Sequence, residues 1–583
     1  MKNSFKKKVL ATGLTAAMTV AAITGCSKGA EGGNGSQQQG AGAGAGAGDH
    51  SEEMTFEVYD VAANYQGEQT GWFGWVLKDR LNIKLNIIAP QVSGDASQLY
   101  QTRAASGNLG DIVLLDNADM QDCINSGLVM DIGDEIWNYP NLSKYKEQIE
   151  SFNANLEGAS DGSVFAIPLE MNSNGPTDYV ENTVSSMPRV RWDYYVEAGS
   201  PDLKTTDDLI DLLKTIQENH PTNDDGDKAY AITMWPDWDG TSIENVNQLT
   251  KWYGEEVNGS VLISGDNTIR PLTDKEGAYY KMLKFFYKAQ AAGIVDPDSA
   301  TQDWNSACDK MRATRVYLIW NNWMGGFTNT PANGEARKNY VPLPIEDMNV
   351  FQTSDSYYGD GRVIGIGSGV TPEEKTRILE FLDWYCSPDG LQTQHVGIKD
   401  VMYTVNADGK YELTEDGLNR FTADVQIPEE YGGGTFTDGN NNINQWIVAG
   451  IETNPETGET YSSDYWASYL ELNSTATNAE WSERFGAKDE VDYLKTNDKA
   501  DFVPWINMSL PSDDTDVALA RSQCGKEICD ASWRMVWATS EEEFDQMWDE
   551  MVTTLNGLGW ESVVAFDTEK YQAVVDARIA AMK

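Results

Sequence analysis

Thr55-Phe56-Glu57-Val58-Tyr59 and Ile112-Val113-Leu114-Leu115 are the stretches on which the reading of this 583-residue chain turns. The first alternates apolar and polar residues of high β-propensity, and the second is a short unbroken apolar run; both predict strands. Between them the pattern predicts a helix from Trp72 to Leu81, a strand from Lys84 to Ile88 and a helix near Ala96 to Ser106. Strands alternating with helices at this spacing predict an α/β fold built on a parallel sheet covered on both faces.

Further along, helices announce their own ends. Thr205-Thr206-Asp207-Asp208 sets an acid three residues after a threonine cap, and the periodic run to Glu218 stops before Pro221. Thr371-Pro372-Glu373-Glu374 combines a cap, a first-turn proline and two acids that suit the helix dipole, predicting a helix that reaches Cys386. Ser540 with Glu543 repeats the pattern before a helix ending near Gly557. Long Gly-, Asn- and Asp-rich connections such as Gly432 to Asn444 separate these elements, and no internal repeat is found.

Toward the N-terminus, the basic start Met1 to Lys8 precedes an apolar stretch from Val9 to Ile23 and then Thr24-Gly25-Cys26. About 15 apolar residues fall short of the roughly 20 that span a bilayer, so residues 1–25 are expected to be a signal peptide. Ile23-Thr24-Gly25-Cys26 resembles the lipobox of bacterial lipoproteins, which implies a diacylglycerol on Cys26; two acyl chains hold a protein stably at a membrane. Residues 26–53 are dominated by Gly, Ala, Gln and Ser and are expected to form a flexible tether. The body, 54–583, is long enough for three or four ordinary domains, and no segment after Cys26 is apolar enough to span a membrane.

The formal charge of -48 becomes -52 once residues 1–25 are removed, since they carry Lys2, Lys6, Lys7 and Lys8 and no acids. Such a field repels nucleic acid and polyanionic ligands and favours neutral or cationic ones. Lipidation of Cys26 would leave five cysteines, an odd number at 123, 308, 386, 524 and 529, which is no disulfide framework; buried free thiols are expected. With only His50, His220 and His395, zinc chemistry lacks ligands. There is no G-x-S-x-G elbow, Walker loop or dinucleotide fingerprint. A glycoside hydrolase, needing only two carboxylates among 91 acids, survives composition as a rival.

Four segments carry a resemblance. Ala105-Ser106-Gly107-Asn108-Leu109-Gly110-Asp111-Ile112-Val113, then Asp131-Ile132-Gly133-Asp134 with Tyr139-Pro140-Asn141-Leu142, then Gly162 to Pro168, then Glu380 to Trp384 with Ser387-Pro388-Asp389-Gly390, resemble segments of the extracellular solute-binding proteins of carbohydrate ABC importers. The resemblance implies a two-lobed, periplasmic-binding-protein-like type II fold with the ligand cleft between lobes. It implies no enzyme activity, but a monomer that captures an oligosaccharide and hands it to permease subunits at the extracellular face of the cytoplasmic membrane. The lobes are expected at approximately 54–170 plus 345–400 and 171–344 plus 401–583. A binder of peptide or another non-sugar solute is the remaining alternative within this fold.

In open parallel sheets ligands lie beyond the carboxyl ends of the strands. That selects Asn64 and Tyr65, Asp116 and Asn117, Glu170, Trp235 and Trp238, and Trp320, Asn321 and Trp323. Tyr357 and Trp505 are further candidates with no strand to anchor them. A pyranose presents an apolar face and a rim of hydroxyls, so rings beside amides and carboxylates suit a neutral glycan of several sugar units. Other tryptophans, including Trp192, Trp384, Trp537 and Trp548, are expected in cores. No cofactor is required. Asn223, Asp225 and Asp227 could offer oxygens to a structural calcium, but the spacing departs from the usual alternate-position loop and a solvated acidic turn is the expected outcome.

Overall fold

The computed structural model describes residues 50–583 except 64, 93–95, 155, 157–159, 161, 176, 422–424, 441–446, 473 and 509. The expected signal peptide, Cys26, the expected tether up to residue 49, and the candidate Asn64 lie outside the described residues. Met54–Asp60 is the middle of three parallel strands, with Ile83–Ile88 on one side and Ile112–Asp116 on the other. Alternation along these strands feeds two apolar layers: Phe56, Val58, Ile112 and Leu114 enter one, while Tyr59, Val113 and Leu115 enter the layer on the opposite face. The sheet is thus covered on both faces, as expected of parallel strands.

It is not purely parallel. Arg362–Ile366 pairs antiparallel with Ile112–Asp116, Ile167–Pro168 pairs antiparallel beyond it, and Gly67–Glu68 forms the other edge, also antiparallel. Arg362 lies opposite Asp116, so the incoming strand enters at the carboxyl ends of the parallel strands and must run back down the sheet.

A second core is built around the antiparallel strands Leu318–Asn321, Ser186–Arg191 and Tyr340–Pro342. Helices Thr206–Asn219, Ala278–Ala291, Thr515–Val536 and Glu541–Gly557 supply side chains to it, and Thr515–Val536 packs against both of the flanking helices. The chain passes between the two cores three times. Met171 belongs to the first and Val184 to the second; Val350 to the second and Val363 to the first sheet; Trp466 to the first and Trp481 to the second. The expected allotment of all of 401–583 to the second lobe differs from this, because Met402, Tyr411, Val425, Phe436, Ile447 and Trp466 pack in the first core. That stretch is loop-rich and its apolar residues are sparse, so no periodicity marked where it would bury them.

Both capping boxes form: Thr205 with Asp208 starts Thr206–Asn219, and Thr371 with Glu374 starts Pro372–Tyr385. Ser540 accepts from the Glu543 backbone N–H at the start of Glu541–Gly557. Cys123, Cys308, Cys386, Cys524 and Cys529 are all free thiols, and all but Cys529 are buried. Among the described residues no helix is long and apolar enough to cross a membrane.

One buried ion network fastens the C-terminal helix Trp560–Ala581 to this second core. Asp567, 1 % exposed, accepts from Arg521 at 2.6 Å and from the Ser260 backbone and hydroxyl at 2.7 Å. Arg521→Met leaves that carboxylate without its countercharge, and such a loss costs about 3 kcal/mol or more. Urea unfolding should show the drop, and a change within about 0.5 kcal/mol would mean that Asp567 is solvated.

Candidate functional site

A cavity of about 390 Å3 opens where the crossing segments meet, inside the roughly 300–1,000 Å3 range of small-molecule sites. Glu170, His395, Gly450, Ser462 and Asp464 come to it from the first-core side, and Ser185, Asn322 and Gln352 from the second. The crossings themselves contribute Tyr179, Glu181, Ser354, Asp355, Ser356 and Asp360, with Trp505 from the segment after Ala500–Val503.

Irregular backbone in this region is tied by side chains. Asp355 Oδ2 accepts from Asn174 Nδ2 at 3.1 Å and from the Val180 N–H at 3.2 Å, joining two crossings. Gln352 Oε1 accepts from the Ser185 N–H at 2.8 Å, and Ser354 Oγ from the Trp505 N–H at 2.7 Å. Val350–Thr353 and Ala500–Val503 add a parallel two-stranded ribbon. Gly359 has φ +102°, and a side chain there would meet the Pro168 Cβ at 2.7 Å, so glycine lets two chain segments touch at the cavity wall.

Glu170 is held at φ 56°, a left-handed conformation uncommon outside glycine. Non-glycine residues persist there only where surroundings impose it, commonly at functional sites. Removal from water pushes its carboxyl up to about 8, Asp360 pushes in the same direction, and the Arg362 guanidinium opposes both. Burial likewise raises Glu181 to about 7, with Asp355 adding to it, and raises Asp355 to about 6 against hydrogen bonds from Val180 and Asn174. His395 is held neutral: burial lowers it to about 4 although it contacts the Val448 carbonyl at 3.1 Å.

The expected site residues divide. Glu170 and Trp505 line the cavity. Asn117 supports it from behind, donating from Nδ2 to Asn507 at 2.8 Å, and Asp116 faces Arg362 across the strand pairing. Tyr65 packs on the first core and donates to the Glu68 carbonyl, and Tyr357 stacks edge-on against Tyr358 at 4.7 Å; neither is part of this cavity lining. Trp235 and Trp320, at 0 % and 1 % exposed, lie in the second core, stacked 5.5 Å apart. This differs from the expectation that both sit in the ligand site: Trp320 lies within the strand Leu318–Asn321, Trp235 follows the isolated bridge of Ile232 to Val295, and both indoles are turned into the core. Asn321 is also buried, donating to Gln248 at 3.1 Å, and its neighbour Asn322 reaches the cavity instead.

Trp323 is 47 % exposed. It is packed against Trp238 and Trp304, with centroids 6.3 and 5.5 Å away, and Trp235 and Trp320 back this cluster from inside. An aromatic surface therefore starts one residue beyond the cavity residue Asn322. Sequence reasoning missed Tyr179, Glu181, Asp355 and Asp360 because they sit on crossings without strand periodicity, and Ser462, Asp464 and Tyr465 because they lie in the loop-rich stretch between Tyr461 and Trp466 of the first core.

Asn223 closes a turn. Its Oδ1 accepts from the Asp225 and Asp227 N–H groups, its Nδ2 donates to the Ala313 carbonyl, and Asp224 is paired with Lys338 and Arg191. Among the described residues there is no group of three or more His, Cys, Asp or Glu that could hold a metal ion.

The profile described as bacterial extracellular solute-binding protein matches residues 77–392, 316 of 583 positions. The chain is 27 % identical over 249 residues to the fructooligosaccharide ABC transporter substrate-binding protein FusA of Streptococcus pneumoniae, covering 41 % of this chain and 44 % of that one. It is 30 % identical over 337 residues to the polygalacturonan/rhamnogalacturonan-binding protein YtcQ of Bacillus subtilis, covering 55 % and 61 %. The matches thus span roughly half the length of these curated relatives. The structure of S. pneumoniae FusA in complex with kestose superposes with TM-score 0.57 at 15 % identity over 89 % of this chain and 99 % of that one, which establishes the two-lobed periplasmic-binding fold.

Raised carboxyls make stability pH-dependent. Between unfolded values near 4 and folded values of about 6 to 8 the native chain holds more protons, so their stabilising contribution is complete below that window and lost as pH rises through it. Glu170→Gln should therefore have a melting temperature that falls less than wild type between about pH 5.5 and about pH 8.5. Parallel profiles for the two proteins would show that Glu170 is solvated.

Proposed function

We propose, on the premise that this chain is a member of the bacterial extracellular solute-binding protein family, that it captures an oligosaccharide between its two cores and delivers it to the permease subunits of an ABC importer. The observation that carries this reading is the cavity shared by both cores and by their crossings. A ligand held there touches both lobes at once, so it favours the arrangement in which they are closest, by as much as its affinity for that arrangement exceeds its affinity for the other. The permease then has a closed form to recognise.

A sugar fits the chemistry. Asn322, Ser462 and the cavity carboxyls offer hydrogen bonds to hydroxyls, and Trp323 with Trp238 offers an adjoining ring surface for the apolar face of further units. FusA and YtcQ are named for glycans, which supports the same class. The lobe boundaries we propose follow the cores: 54–171, 363–466 for the first and 184–350, 481–583 for the second. The lipobox-like Cys26 and the Gly/Ala-rich tether give a reading of a monomer anchored by lipid at the outer face of the membrane.

A second reading has one observation in its favour. A protonated Glu170 near Asp360 is the kind of unequal carboxyl pair that a glycosidase uses as acid and base. Binding is therefore measured by calorimetry against an oligosaccharide panel, with each incubation analysed for cleavage. Intact sugar with saturable heat supports the carrier; cleavage that Glu170→Gln abolishes replaces it with a hydrolase.

Trp323→Ala should weaken binding by about 1–3 kcal/mol, the range for loss of a stacking ring, with little change in melting temperature. Trp235→Ala should instead lower stability by about 3–5 kcal/mol, as for a buried aromatic. Wild-type affinity in folded Trp323→Ala would remove the aromatic surface from the site.

A further inference from the structure

We infer that Asp355, Glu181 and Asp464 form a subsite for a protonated amine on the bound glycan, so that the ligand contains an amino sugar with a free, unacetylated amino group. This rests on the carrier reading above. Asp355 is 5 % exposed and lines the cavity. Its Oδ2 is occupied by Asn174 and Val180, but Oδ1 is buried with no hydrogen-bond partner among the described residues. A buried oxygen without a donor costs roughly 1–3 kcal/mol, more when charged, and a ligand that supplies a donor recovers it.

The charges around that atom specify which donor. Five residues of the lining carry carboxyls, namely Glu170, Glu181, Asp355, Asp360 and Asp464, and none is Lys or Arg. Three cations lie near these carboxyls, and Arg420, whose charge reaches Asp464, is buried and donates to the Gly417 carbonyl and the Ser463 hydroxyl. Arg362 is held by Asp360 through Nε at 3.1 Å and Nη2 at 2.7 Å. Lys495, whose charge reaches Asp355, sits over the rings of Phe502 and Tyr179 at 4.8 and 5.8 Å. The remaining charges facing Asp355 and Glu181 are Asp178, Asp464 and Glu490, the last already paired with Arg189.

A hydroxyl brings one donor and no charge, whereas an ammonium brings three donors and the missing positive charge. A uronate would add a further carboxylate to a partly desolvated space that already holds five carboxyls. Burial that holds Glu181 near 7 and Asp355 near 6 is relieved by the same ammonium, so binding of the amine releases protons and weakens on acidification through that range.

The test is calorimetry of the full folded body at physiological salt and near-neutral pH with four oligomers of equal length: β-1,4-linked glucosamine, its N-acetylated form, neutral glucose and galacturonate. The glucosamine oligomer is expected to bind at least ten-fold more tightly than the other three. Asp464→Asn, at an exposed position, should reduce that preference several-fold, and Asp355→Asn should reduce it further. Either substitution removes one of 91 acids, so attraction to overall charge would survive it. Equal affinity for the glucosamine and neutral oligomers, or a preference unchanged in both variants, overturns the subsite and leaves the carrier standing. If none of the four binds, the subsite falls, and the carrier reading is decided by the oligosaccharide panel described above.

Discussion

The two cores of this protein share three crossings, and the backbone of those crossings must find hydrogen bonds outside either sheet. An unpaired buried amide costs as much as a lost hydrogen bond, so the crossings cannot be featureless linkers. Their solution is polar side chains: Asp355 receives the Val180 N–H, Gln352 that of Ser185, Ser354 that of Trp505, and Glu490 that of Val184. The polarity of the cavity follows directly. Groups recruited to satisfy the chain where it leaves one core and enters another become the groups that line the cavity.

This also explains what was legible beforehand. The first sheet could be read because period-two alternation and apolar runs at Thr55–Tyr59 and Ile112–Leu115 are imposed by burial on known faces, and caps at Thr205, Thr371 and Ser540 act within a single turn. Glu170 was found by the rule about carboxyl ends of strands, which survives because Ile167–Pro168 does end at the boundary of the first core. The rule failed for Trp235 and Trp320. It gives the height of a residue along a strand but not the direction of its side chain, and both indoles turn inward to stack on each other. Asp355, Glu181 and Asp464 were invisible for a different reason: their proximity depends on how the two cores are placed, and no local pattern encodes it.

The tryptophan cluster shows how a core can serve a surface. Trp235 and Trp320 are rigid backing, with Trp238 and Trp304 half-buried over them and Trp323 outermost. A lone exposed indole loses rotamer freedom when it binds; one braced by neighbouring rings has lost most of it on folding, so the ordering cost is met before the ligand arrives. Core and exposed ring are thus one packing unit, in which buried and exposed tryptophans occur together.

Acidity acts on two length scales. Over the whole surface, excess negative charge is screened within about 8–10 Å at physiological salt and chiefly biases which ligands approach. Inside the cavity screening is weak, and carboxyls that would be ionised in water retain protons at Glu170 and Glu181 near neutrality. Bringing the cores together on an empty cavity presses these groups closer and removes more water from them, which raises the free energy of that arrangement. A ligand able to neutralise or hydrogen-bond them lowers it again. In the carrier we propose, closure in the absence of ligand would be opposed by the same carboxyls that are proposed to hold the ligand, and the difference between the empty and filled states, rather than binding strength alone, is what a permease would sense.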